Sequence, residues 1–270
     1  MNDPTSKPED DSAPTTHFGY RDVPVAEKQK LVGEVFTSVA RSYDRMNDLM
    51  SLGVHRLWKR YFVGTSGVKR GDAVLDLAGG TGDIAALLHE RVLRRAQDRQ
   101  ARDERDNGRV VLGDINGDML SVGRDRLIDR GLVAGIDYVQ CNAEKLPFPD
   151  RSFDLVTIAF GLRNVTDKPA ALREMHRVLK IGGRALVLEF SQVQAEWFKP
   201  IYDFHSFQVL PRLGKLFARD AGSYRYLAES IRKHPPQEEL KAMMEAAGFA
   251  RCGFRNLSGG IVAIHSGYSV

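Results

Sequence analysis

Between Val25 and Arg60, the residues Val32, Val35, Phe36, Val39, Tyr43, Met46 and Met50 recur at three- and four-residue steps. That spacing lays one apolar stripe along amphipathic helices. After Gly71 the rhythm changes to short apolar runs separated by helical stretches. AVLDLA (73–78), RVVLGDI (109–115), IDYVQC (136–141), FDLVTIAF (153–160) and RALVLEFS (184–191) read as strands, and the intervals from Asp83, from Met119 to Arg130 and from Lys168 to Leu179 read as helices. Strands too apolar to leave a face in water, alternating with helices, predict a parallel sheet covered on both sides. The chain ends on an amphipathic stretch, QEELKAMMEAAGF, and two further strands, ARCGFRNL and GIVAIHSGYSV. Ser258-Gly259-Gly260 between them suits the turn of an antiparallel hairpin.

Two segments break the alternation. Residues 91–109 are dominated by charge and read as a solvated extension of the first crossover helix. Residues 195–236 carry many aromatics with interspersed basic residues and read as a helical insertion. The first 16 residues are rich in Pro, Ser, Thr and Asp, which predicts a disordered tail. The expected organisation is therefore a tail (1–16) and a single domain (17–270). Within the domain come N-terminal helices (17–70), a core (71–193), a helical cap insertion (194–235) and the completion of the core (236–270).

Composition narrows the setting. Hydrophobic residues at 43% suffice for a sizeable core, and a net charge of +4, spread along the chain, permits contact with nucleic acid or an anionic membrane without indicating either. Two cysteines, Cys141 and Cys252, do not make a disulfide framework. No apolar run approaches the roughly 20 residues that cross a bilayer. The tail has neither the apolar region of a secretory signal nor the basicity of a mitochondrial presequence. A cytoplasmic protein, peripheral to the membrane if it touches one, is expected.

The chemistry concentrates at strand ends. Gly80-Thr81-Gly82-Asp83-Ile84-Ala85 fits the dinucleotide fingerprint G-x-G-x-x-A between a strand and a helix. Glycine lets a ligand lie against the main chain and the helix N-terminal N–H groups; a tight turn with no ligand uses the same residues. Asp114 ends the second strand, where a carboxylate takes both hydroxyls of a ribose. Asp76 sits at the end of the first strand, where it would repel a pyrophosphate and suit a sulfonium amino acid with its ammonium. Asn142-Ala143 follow the third strand, where an amide can read an adenine edge, with Phe148 and Phe153 near; a loop residue capping its own backbone is the plainer account of Asn142. Glycine loop, ribose acid, adenine amide and then FGLRN (160–164), on four consecutive strand ends, favour an S-adenosyl-L-methionine-dependent methyltransferase. The expected fold is α/β, a Rossmann-like seven-stranded class I methyltransferase sheet with helices on both faces, an N-terminal helical segment and a helical cap insertion.

Five stretches make the resemblance closer: FTSVARSYDRMNDLMSLGVHRLWKR, VLDLAGGTGDIA, GDINGDML, NAEKLPFPDRSFDLVTIAFGLRNVTD and LKIGGRALVLEFS. Together they resemble the ubiquinone/menaquinone biosynthesis C-methyltransferases over nearly everything after His17. The resemblance implies methylation of a ring carbon of a polyprenylated quinol, a methoxybenzoquinol or a demethylmenaquinol. It also carries cofactor contacts onto Thr81, Asp114, Asn142 and Ala143. Ala159 stands where the family often has serine, which leaves only a backbone contact there. Asp76, Gly80 and Gly82 complete the expected cofactor set.

For the reaction, Arg163 is expected to supply positive charge that favours the quinol anion, with Asn164 orienting the ring oxygen or a relaying water. Tyr43 is a second hydroxyl within reach of the site, although its place on the apolar stripe also fits simple packing. A surface salt bridge is the plainer role for Arg163. Trp197, Phe198, Tyr202, Phe204, Phe207 and Phe217 of the insertion are candidates for housing a prenyl tail or meeting a membrane surface. A larger quinone-biosynthesis complex is a further candidate partner. The seven histidines lack ligand spacing, so no metal is expected. An NAD-dependent oxidoreductase has G-x-G-x-x-A alone in its favour. A nucleic-acid methyltransferase lacks an Asn-Pro-Pro-Tyr-like motif at the fourth strand, and no nucleic-acid partner is expected. A non-catalytic adenosylmethionine-binding subunit remains compatible with the text.

Overall fold

Val74, Leu75 and Leu77 are buried on β3 (Ala73–Leu77), an interior strand of a seven-stranded sheet. The computed structural model describes residues 14–39, 47–48, 51, 53–93, 108–193 and 221–270. The other main-sheet strands are β4 (Arg109–Asp114), β5 (Ile136–Gln140), β6 (Phe153–Ala159), β7 (Leu179–Phe190), β8 (Ala250–Leu257) and β9 (Val262–Tyr268). Their order is β5-β4-β3-β6-β7-β9-β8. β3 to β7 pair in parallel, and β9 runs antiparallel to both β7 and β8. The expected terminal hairpin is thus inserted with its second strand inward, beside β7.

Alternation along each strand builds two apolar layers. Val74, Leu155, Leu186 and Leu188 face one side, together with α2 (His55–Thr65), α3 (Asp83–Val92) and α4 (Gly117–Asp129). Leu75, Leu77, Val156, Ile158 and Val187 face the other, under α5 (Lys168–Val178) and α7 (Gln237–Ala246). Burial on both faces explains why these strands read as continuous apolar runs. Phe153 is fully buried in the second layer, edge-on to Phe148 at 5.1 Å, so this pair belongs to the core.

The amino-terminal part departs from expectation. Thr15–Phe18 (β1) and Arg21–Pro24 (β2) form an antiparallel hairpin where the tail and the first helices were expected to meet. Four-residue strands with only Phe18 buried give no periodic signal. What holds them is remote: Phe18 stacks on Tyr226 of α6 (Ala221–Lys233), with ring centroids 4.3 Å apart. Helix α1 (Val25–Val39) follows and adds Val32 to that cluster. Tyr43 and residues 194–220, including the aromatics expected to house a prenyl tail, lie outside the described residues.

Candidate active site

After β3 the chain turns through positive φ at Ala78 (49°), Gly80 (52°) and Gly82 (81°), and Gly82 caps α3. Space, as well as conformation, demands glycine here. A Cβ on Gly79 would stand 2.9 Å from Leu112 Cγ and 3.0 Å from Asp76 Oδ2, and one on Gly80 would stand 3.0 Å from Met119 Cε. Both are closer than ordinary packing allows, so the loop lies flat against its own sheet edge.

Asp76 is buried, and its Oδ1 accepts from Thr157 Oγ1 at 2.7 Å while Oδ2 has no hydrogen-bond partner. Burial pushes this carboxyl up to about 7, against the pull of the Thr157 hydroxyl. Asp114 is buried as well, and burial raises it to about 6 although the N–H groups of Asn116 and Gly80 donate to its two oxygens, each at 2.9 Å. The two acids are coupled, since the Asp114 charge also disfavours ionisation of Asp76. A cationic ligand placed between them would lower both pKa values. An orphaned carboxylate oxygen beside a glycine cradle is the feature an ammonium group fits, and a second carboxylate with spare lone pairs suits vicinal hydroxyls.

Beyond β5, Asn142 Oδ1 accepts from Glu144 N–H at 2.9 Å. Asn142 therefore does cap its own loop, which leaves its Nδ2 donors for a ligand. The FGLRN turn follows β6. Phe160 adopts φ 56°, Gly161 packs on Ala78 of the glycine loop, and Leu162–Asn164 form one turn of 3₁₀ helix. Arg163 Nη1 donates to Glu189 Oε1 at 2.8 Å and to the Phe160 carbonyl, with the pair's side chains only 2% and 1% exposed. The guanidinium is buried and neutralised within the protein, neither a surface ion pair nor a lone cation. Asn164 Oδ1 accepts from Tyr226 Oη at 3.0 Å. Burial pushes that phenol up to about 12, so it stays a donor at neutral pH.

These strand ends frame a cleft of about 830 Å³, lined by Asp114, Asn142, Ala143 and Asn164 and closed on one side by Val32 and Phe36 of α1. A smaller pocket of about 380 Å³ holds Asp76, Gly80, Thr81 and Ala159. Ala78 and Phe160 line both, so the two adjoin. Of the expected site residues, Gly82 serves as helix cap and Arg163 lies behind the wall through its bond to Phe160; the other described ones line the two pockets. Sequence reasoning missed Glu189, Tyr226 and Thr157. Glu189 interrupts the apolar run VLEF, a polar residue in a buried strand, and that was the available signal. Among the described residues no group of His, Cys, Asp or Glu could hold a metal ion.

The sheet order, the flat glycine loop and the acid pair define a methyltransferase of the S-adenosylmethionine-dependent class. Solved structures bear out the fold. A SAM-dependent methyltransferase from Aquifex aeolicus aligns with 84% of this chain and 98% of its own at TM-score 0.56 and 18% identity. The [4+2]-cyclase SpnF aligns with 88% and 94% at TM-score 0.57 and 15% identity. The sequence profile of the ubiE/COQ5 methyltransferase family matches residues 24–269. The chain belongs to that family. Among its relatives, a ubiquinone/menaquinone biosynthesis C-methyltransferase UbiE of Xanthomonas oryzae pv. oryzae is 76% identical over 256 residues, covering 95% of this chain and 96% of its own. A protein of the same name from Stenotrophomonas maltophilia is 74% identical, with the same coverage of both chains.

Proposed function

We propose that this enzyme methylates a ring carbon of a reduced, polyprenylated quinone precursor, in ubiquinone biosynthesis (a methoxybenzoquinol), menaquinone biosynthesis (a demethylmenaquinol) or both. One observation carries this reading: Asn164, held by Tyr226 and by the turn that the Arg163–Glu189 pair anchors, lines the same cleft as Asp114 and Asn142, the residues proposed for the cofactor. The names and high identity of the relatives point the same way.

When bound, S-adenosylmethionine supplies a methyl group on a sulfonium, an electrophile that an electron-rich ring carbon attacks. Asp114 would take the ribose hydroxyls, Asp76 the ammonium, and Asn142 with the Ala143 backbone the adenine edge. The ring must lose a hydroxyl proton to become nucleophilic. With a phenol pKa near 10 this costs about 4 kcal/mol at pH 7. Asn164 orients the ring oxygen and the water that carries its proton away. Arg163, with its charge already matched by Glu189, keeps the turn rigid so that this amide stays aligned with the reacting carbon. Val32 and Phe36 cover the ring and exclude bulk water. Tyr43 and the segment 194–220 belong to the proposal as further substrate contacts. So do a membrane surface, for a tail that loses roughly 0.8 kcal/mol per CH₂ left in water, and a larger quinone-biosynthesis assembly.

The test is product analysis with purified protein, S-adenosylmethionine, and short-chain methoxybenzoquinol or demethylmenaquinol offered in turn. A ring-methylated product from at least one is expected. Donor bound but both rings unchanged would sink the reading.

A further inference from the structure

Helix α2 is cleanly divided. His55, Trp58, Lys59, Phe62 and Val63 are buried, and the outward face between them carries Arg56, Leu57, Arg60 and Tyr61. Leu57 is 63% and Tyr61 40% exposed, one helical turn apart and each next to an arginine. Beside this face, α2, α3 and α4 enclose a bowl of about 760 Å³. Among the described residues five cationic side chains line it, Arg56, Lys59, Arg60, Arg126 and Arg130, against one carboxylate, Asp83. The whole chain carries a net charge of only +4, so this is a local concentration, not a share of a generally basic surface.

The carboxylates described at the bowl are already paired. Asp83 takes Lys59 at 2.7 Å and Arg126 at 3.5 Å, and Arg56 pairs with Asp48 at 2.7 Å. Among the described residues no carboxylate lies within ion-pair distance of Arg60 or Arg130. Arg60 and Arg130, two cations on one concave wall with no described carboxylate partner, call for an anion. The neighbouring exposed leucine and tyrosine call for an apolar boundary, and a helix that mixes arginine with apolar residues on its free face is built to lie on a lipid surface. The bowl also stands at the site's threshold, because Lys59 and Asp83 line both it and the smaller cofactor pocket.

We propose that the bowl and the outer face of α2 form a docking site for an anionic phospholipid surface. Headgroup phosphates enter between Arg60 and Arg130, while Leu57, together with the Tyr61 ring that the Arg255 guanidinium lies over, reaches the acyl boundary. This deepens the proposed function, on which it rests in one respect: a prenylated substrate resides in the bilayer, and docking by this face brings the cofactor pocket to it.

Vesicle sedimentation tests the site. The probes are phosphatidylcholine vesicles with and without phosphatidylglycerol, at low and high salt, with wild type, Arg60→Glu/Arg130→Glu and Leu57→Ser/Tyr61→Ser. Wild type is expected to pellet only with the anionic vesicles and to be released by salt. The charge reversal should lower binding at least about tenfold. The Leu57→Ser/Tyr61→Ser variant should weaken binding and leave its salt dependence intact. Unchanged donor affinity shows that the variants are folded. Equal pelleting of wild type and the charge reversal, or binding to neutral vesicles alone, overturns the proposal. So does a thermal shift by inorganic phosphate that needs Arg60 and Arg130 while vesicles stay unbound, which would make the bowl a free-phosphate site. In the activity arm, the charge reversal should match wild type on a soluble short-chain quinol and show a raised KM for a long-chain quinol in vesicles. Failure of wild type on both quinols counts against the proposed function and leaves the lipid-binding result standing.

Discussion

Arg163 and Glu189 meet at 2.8 Å across the end of the sheet, almost fully buried, one in the FGLRN turn and the other near the end of β7. Removing one charge strands the other in a low-dielectric site. Glu189→Gln should destabilise the protein by about 3–5 kcal/mol, and the double change Arg163→Met/Glu189→Gln by clearly less. Urea unfolding checks this; a Glu189→Gln cost below about 1 kcal/mol would show the pair to be energetically idle. Turnover of Arg163→Lys and Arg163→Ala should fall by about tenfold to a hundredfold through loss of alignment. Near-normal rates in both, with donor affinity intact, would remove Arg163 from the mechanism.

Tyr226→Phe deletes the hydroxyl that holds Asn164 Oδ1 and keeps the ring stacked on Phe18. The expected cost is about 1 kcal/mol of stability and about tenfold in kcat, with donor affinity unchanged. Because this phenol titrates only near 12, the ratio of mutant to wild-type kcat should be flat from pH 6 to 9. A ratio that varies with pH would mean the hydroxyl exchanges a proton during turnover.

Donor affinity should depend on pH through the two acids. In the roles proposed for them, Asp114, raised to about 6, and Asp76, raised to about 7, would have to ionise to hold hydroxyls and an ammonium. Binding measured by calorimetry should therefore strengthen between pH 5 and 7, and Asp114→Asn should flatten the lower part of that rise. Stability of the free protein runs the other way. A carboxyl raised by burial holds its proton in the folded state after the unfolded chain has lost it. Its contribution therefore falls as pH climbs from the ordinary carboxylate value through the folded one, by up to about 1.4 kcal/mol per pH unit. Asp76→Asn should accordingly exceed wild type in stability at pH 8, with the gap narrowing toward pH 5; a constant gap would show that Asp76 is not raised.

Gly79→Ala places a methyl group 2.9 Å from Leu112 Cγ and 3.0 Å from Asp76 Oδ2. Overpacking at a site with backbone on one side should cost about 1–3 kcal/mol and push the loop into the space of the ligand. Donor binding should weaken more than stability does. Wild-type affinity in this variant would show that the loop does not cradle the donor.

The alternation of elements, the glycine loop and the acids Asp76 and Asp114 were legible in the text because each rests on local rules. Apolar period separates strand from helix, and residues at the carboxyl end of a parallel strand share one sheet edge whatever their partners. The β1–β2 hairpin was not legible, since its strands are short and its one buried residue packs against a ring some 200 positions away.

The sequence by itself determined the parallel core, the strand ends that bear Asp76, Asp114 and Asn142, and the turn that carries Arg163 and Asn164. Only the tertiary structure decided what those side chains meet. Glu189 and Tyr226 arrive from 26 and 62 residues away, and the charge and hydrogen-bonding state of a buried group follows from its neighbours in space, which no local period encodes.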